Sequence, residues 1–132
     1  MADQAFERNV FINCPFDADY APILEAIVFC IVYFGLSPRL ASERLEAGEN
    51  RLEKIWEIIR VSKYSIHDLS RCRALKDGDS FRMNMPFELG VDLGYRRSGA
   101  KQAGQKKFLI FEKDPYDLKR SLSDIAGQDV DF

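Results

Sequence analysis

The sequence predicts an α/β fold: a doubly wound parallel sheet of about five strands with helices on both faces. Three observations predict it. Short runs rich in β-branched and aromatic residues, such as NVFIN (9–13) and KFLIFE (107–112), alternate with longer helical stretches, and that order builds a parallel sheet with crossover helices. In one helical stretch Leu52, Ile55, Trp56 and Ile59 recur at i, i+3, i+4 and i+7, an apolar stripe on one side of a helix. With 132 residues, 46% apolar and 30% charged, the chain has the size and composition of one packed domain, residues 1–132, without a linker.

The first strand is Asn9 to Asn13, closed by Cys14 and Pro15. Pro15, Asp17 and Asp19 supply turn and cap chemistry for a helix from about Tyr20 to Phe34, which Gly35 ends. Pro22 fits there because it falls in the first turn. Within this helix ILEAIVFCIVYF (23–34) is strongly apolar, but it spans about a dozen residues and contains Glu25, whereas a membrane span needs roughly 20; it is expected to be a core helix. A short second strand is expected at Ser37 to Ala41, then a polar loop from Glu43 to Asn50 with Gly48 as its flexible point. Asn50 caps the helix that carries the stripe, and Trp56 on that stripe is expected in the core.

KYSIHDL (63–69) is the third strand. A charged loop, Arg71 to Arg82, leads to a helix starting near Asn84 or Met85 and running to about Arg97. Gly90 and Gly94 inside it each cost about 1 kcal/mol relative to alanine, so a close packing of that helix face on the sheet is expected. Lys107 to Glu112 is the fourth strand, Tyr116 to Ser123 a short helix, and Asp129 to Phe132 the start of a fifth strand. A doubly wound domain normally closes with a further helix on that side, so a missing C-terminal helix or a partner chain is expected to complete the edge.

Formal net charge is −2 with nineteen basic residues, which gives no general bias toward nucleic acid; KQAGQKK (101–107) reads as a solvated basic turn. Cys14, Cys30 and Cys72 form no CxxC pair, so neither a disulfide framework nor a zinc site is suggested, and a reducing cytoplasm fits. No secretory leader pattern opens the chain. There is no GxGxxG after the first strand and no GxxxxGK[ST], which argues against dinucleotide dehydrogenases and P-loop NTPases. One histidine with scattered carboxylates makes no metal site, and no metal is expected. Asp17, Asp19 and Asp68 could imitate the acidic residues of a phosphorylated receiver domain, but the lysine that such a domain needs has no clear candidate.

In an open parallel sheet, ligands bind outside the carboxyl ends of the strands. That rule selects Asn13, Cys14, Pro15, Phe16 and Asp17 after the first strand, Arg39 and Glu43 after the second, His67, Asp68 and Ser70 after the third, and Asn84 and Glu88 on the following helix. These are expected to converge. His67 and Asp68 are adjacent in a strand, so they face opposite sides, and no Ser-His-Asp triad can be built from them. Glu88 has two readings. With Met85 as N-cap it occupies N3 and serves as a capping carboxylate, or it faces a ligand over the strand ends.

NVFINCPFD (9–17), IHDLS (66–70) and NMPFELGVDLG (84–94) together resemble the Toll/interleukin receptor (TIR)-like branch of the superfamily that also contains nucleoside 2-deoxyribosyltransferases, over roughly residues 9 to 112. The resemblance implies a flavodoxin-like sheet and chemistry at an N-glycosidic bond, with Glu88 as the catalytic carboxylate and Asp68 holding the sugar. It also implies that Asn13, Pro15 and Phe16 surround base and sugar; Cys14, among the strand-end residues, is a substrate-binding candidate beside them. Ser70 and Asn84 are further substrate-binding candidates, and Arg39 faces a phosphate. Asn84 and Pro86 stand where deoxyribosyltransferases commonly have an acidic residue and a glycine. The serine, tryptophan and cysteine cluster common ahead of the TIR glutamate is absent.

Nicotinamide leaves NAD as a neutral molecule from a cationic bond, so one carboxylate opposite the ribosyl cation suffices, whereas a departing purine needs a proton donor as well. That favours NAD as the substrate, with no separate cofactor required, in a homo-oligomer because TIR enzymes that hydrolyse NAD usually act when assembled. A deoxyribosyltransferase and a noncatalytic scaffold that binds a nucleotide or partner are the alternatives.

Overall fold

The computed structural model describes residues 4–43, 50–72, 76–78, 83–125, 127 and 130–131. Gly48, Asp129, Phe132 and much of the two loops expected at 43–50 and 71–82 lie outside the described residues. β1 (Asn9–Asn13) is buried along its whole length and lies inside the sheet. It pairs in parallel with β2 (Ser37–Arg39) on one side and β3 (Tyr64–Asp68) on the other, and β4 (Lys107–Phe111) lies parallel beside β3. The four strands run in the order 2-1-3-4, and Val130–Asp131 adds a two-residue parallel β5 beside β4. This is the expected flavodoxin-like α/β topology. Its strand order reverses between β1 and β3, which directs a binding crevice to the carboxyl ends of those two strands.

A short helix not anticipated from the sequence, α1 (Gln4–Arg8), precedes β1 and buries Phe6. α2 (Ala21–Tyr33) has Pro22 in its first turn and ends before Gly35, whose φ of 75° suits a residue without a Cβ. α3 (Arg51–Arg60) is capped as expected: the Leu52 N–H donates to Asn50 Oδ1 at 2.9 Å. α4 (Asn84–Arg96) and α5 (Asp117–Ser121) complete the crossovers.

Strand alternation divides the core. Val10 and Ile12 pack with Leu24, Ile27, Val28 and Ile31 of α2, together with Tyr64 and Ile66 of β3. Phe11, pointing the other way, packs with Ile55, Ile58 and Ile59 of α3 and Tyr95 of α4. Ile110 joins Leu89 of α4 and Leu118 of α5.

Four expectations are corrected. The apolar helix is not a core helix: within α2 Ile31 alone is fully buried, while Phe29, Val32 and Tyr33 are exposed, as is Phe34 behind it. Among the described helices α2 supplies the packing on its side of the sheet, so its inward arc alone is covered. Trp56 is 43% exposed; the buried arc of α3 is Ile55, Ile58 and Ile59, and the indole lies T-shaped against the Tyr95 ring. Gly90 and Gly94 face open space, with no atom within 4 Å of an added Cβ, so no close approach to the sheet explains them. Within the basic turn, Lys106 is 1% exposed and belongs to the interior.

Candidate active site

Glu88 is the fifth residue of α4, which begins at Asn84 after Met83. The capping explanation fails on this register: Glu88 lies beyond the free N–H groups, which end before Phe87, and the first turn holds no acidic residue. Pro86 occupies that first turn, where its missing N–H costs no helical bond. The Glu88 side chain points inward and is 7% exposed.

It lines a cleft of about 520 Å³, within the size range of small-molecule sites. Asn13, Cys14, Pro15 and Phe16 enter from the end of β1, Arg51 from the start of α3, and Met83, Asn84 and Met85 from the approach and first turn of α4. Glu88, Asn13, Cys14, Pro15, Phe16 and Asn84 are therefore brought together as expected.

Asp68 and Ser70 are not in that cleft. They line a second one of about 600 Å³ with Tyr20, Arg71, Phe111 and Lys113. The reason is the strand period: Asn13 pairs in register with His67, so these two share the α4 side of the sheet, and Asp68, one residue on, points to the α2 side. Arg39 lines neither cleft; it is half-buried in β2 opposite Phe11. The side chain of Glu43 lies outside the described residues. Arg51 is the charged cleft residue that the sequence reading missed, along with the apolar Ile12, Ala41, Met83 and Met85. Its signal was present, since the residue after an N-cap that follows a strand-end loop sits at the binding edge.

Burial pushes the Glu88 carboxyl up to about 7, and the positive charge of Arg51 opposes the shift. Burial also drives the Cys14 thiol up to about 12, with the charges of Asp68 and Glu88 adding to it; this thiol stays protonated and is no nucleophile. Asp68 is satisfied by protein donors, the Tyr20 phenol at 2.5 Å and the Ser70 N–H at 2.8 Å. His67, the single histidine of the chain, is fully buried between Asn13 and Asp92.

The cleft thus offers one buried carboxylate with a pKa close to neutrality, a guanidinium nearby, and an exposed aromatic side chain, Phe16, at its wall. Such a set can face a developing cation, hold an anion, and stack on a planar group. No three His, Cys, Asp or Glu side chains among the described residues are grouped to hold a metal ion. No described helix is long and apolar enough to cross a membrane. Compared with known proteins, the chain matches no family model and no curated protein.

Proposed function

We propose that this chain is a TIR-like N-glycosidic bond enzyme that hydrolyses NAD, with Glu88 as its catalytic carboxylate. The observation that carries the reading is Glu88 itself: a carboxylate buried at the wall of a 520 Å³ cleft, outside the capping positions of its helix. Burial of an acid costs free energy, so a site that retains one has a use for it. The C1′–N bond to nicotinamide breaks, its electron pair neutralises the pyridinium nitrogen, and Glu88 faces the ribosyl cation. Water then adds to C1′ and releases a proton, giving ADP-ribose. Arg51 takes the phosphate role first expected of Arg39, and Phe16 packs on a base. Asn84 is left to meet ribose hydroxyls, because Asp68 and Asn13 are engaged with protein partners.

Self-association is part of this reading, so the test uses the purified protein at high concentration with NAD and measures nicotinamide release. Turnover is expected, with Glu88→Gln inactive and Arg51→Ala raising KM several-fold. Release that survives in Glu88→Gln would remove the assignment.

A nucleoside deoxyribosyltransferase is the second reading, favoured by the Glu88 pKa. A carboxyl near 7 is largely protonated in mildly acidic solution and can deliver the proton that a departing purine requires. Base exchange between deoxynucleosides without NAD hydrolysis would decide for it.

A further inference from the structure

Four buried side chains beneath the cleft form a continuous polar chain from the end of α3 to the first turn of α4. Lys106 Nζ donates to the carbonyls of Ile59 and Ser62 at the end of α3 and lies 3.2 Å from Asp92 Oδ1. Asp92 Oδ2 is 2.8 Å from His67 Nε2, and His67 Nδ1 is 2.9 Å from Asn13 Nδ2. The same Asn13 nitrogen donates to the Met85 carbonyl at 2.8 Å. His67, Asp92 and Lys106 are each at most 1% exposed, and Asn13 is 2% exposed.

The two ends fix every direction in this chain. A carbonyl only accepts, so Met85 holds the Asn13 carboxamide with its nitrogen inward. The second N–H of that nitrogen points at His67 Nδ1, which must carry the lone pair. Nε2 then carries the proton and donates to Asp92, whose negative charge is balanced by Lys106. The Phe11 and Phe108 rings pack T-shaped against the imidazole, at centroid distances of 5.9 and 5.6 Å.

We infer that His67 and Asp92 are positioning residues for Glu88: through Asn13 they clamp the Met85 turn, three residues ahead of Glu88, and so hold its carboxyl at the cleft wall. The catalytic half of this inference rests on the proposed function, while the clamping half does not. Well-packed apolar residues are often as stable as a buried ion pair, so stability alone gives no reason to retain the chain. What the polar chain supplies is direction. A misplacement of about 1 Å at a reacting group can cost a hundredfold in rate, which is reason enough to pin this turn from beneath. Glu88 is faced by Arg51 from α3 and by Cys14 from the end of β1, with Asp68 beyond Cys14, and none of these is removed by changing His67.

The test uses the full chain and three readouts. Nitrogen NMR of the single imidazole at neutral pH is expected to show the Nε2–H tautomer; the Nδ1–H tautomer would overturn the inference. Carbon NMR of the Glu88 carboxyl follows its titration midpoint, expected near 7 in the parent protein and in His67→Asn, whose side-chain oxygen restores an acceptor for Asn13. In His67→Leu the midpoint is expected to fall toward 4.5 as water reaches the loosened turn, and kcat for NAD to fall about a hundredfold with little change in KM. A folded His67→Leu with unchanged midpoint and kcat would overturn the inference. If that variant does not fold, His67→Gln replaces it, since it restores only the donor to Asp92; equal behaviour of the Asn and Gln variants would then overturn it. If the parent protein turns over no NAD, the proposed function fails, while tautomer and midpoint still decide the clamp.

Discussion

The phenol of Tyr20 donates a 2.5 Å hydrogen bond to Asp68 Oδ2, tying the residue before α2 to the last residue of β3. Both are buried, and burial together with the Asp68 partner raises the Tyr20 hydroxyl well above its ordinary value, so it remains a donor at any working pH. Removing a donor to a buried carboxylate leaves one oxygen short of a partner, at a cost of about 1.5 to 3 kcal/mol. Tyr20→Phe is therefore expected to lower the unfolding free energy by that amount, read as a lower urea midpoint with an unchanged slope. An unaltered midpoint would show that the bond contributes nothing net.

The same pair shows how far the site could be read from sequence. The strand ends, the Asn50 cap and the helix around Glu88 were legible because each has a local signal. The rule that ligands sit over strand ends gathered Asn13, Phe16 and Glu88 correctly, but it is blind to the face of the sheet. Alternation would have separated Asp68 from Glu88, since it had already separated Asp68 from His67; the expected convergence applied the rule to one pair and not to the other. The exposure of Phe29 and Tyr33 was beyond reach, because an apolar run does not say whether a second layer covers it. Lys106 was misread for a similar reason: a basic loop carries no mark of the one lysine that meets helix-end carbonyls and Asp92.

Gly90 and Gly94 stand on the solvent side of α4 with nothing within 4 Å of an added Cβ. Each leaves a helix interior paying backbone entropy without a packing return, about 0.5 to 1 kcal/mol relative to alanine. Gly90→Ala and Gly94→Ala should each raise the unfolding free energy by roughly that amount, and because the two positions are neighbours at i and i+4 their effects need not add. Thermal unfolding of the two single variants and the double variant measures this; a loss of stability in either would reveal a contact that the isolated chain does not show.

Glu88 should be destabilising at high pH. Its carboxyl rises from 4.5 in the unfolded chain to about 7 in the fold, so below pH 4.5 both states hold the proton and the group costs nothing. As pH climbs through this window the unfolded chain ionises first, and above about 7 the full cost, about 3 kcal/mol, is in place. Glu88→Gln is therefore expected to be more stable than the parent at pH 8 and equal to it at pH 4.5. Denaturation at both pH values checks the sign, and a difference that did not change with pH would contradict the buried titration.

The pH dependence of activity separates the two proposed reactions through the same carboxyl. Facing a ribosyl cation requires the ionised form, so kcat/KM for NAD hydrolysis should rise with pH and level off above the free-enzyme pKa near 7. Delivering a proton to a departing purine requires the acid form, so deoxyribosyl transfer should run on the opposite limb and decline above the same value. Removing the Arg51 charge lifts the opposition to the Glu88 shift, and Arg51→Gln should move whichever limb is observed to higher pH. A profile that stays flat from pH 6 to 8, or one that Arg51→Gln leaves in place, would mean that the ionisation of Glu88 does not govern the reaction.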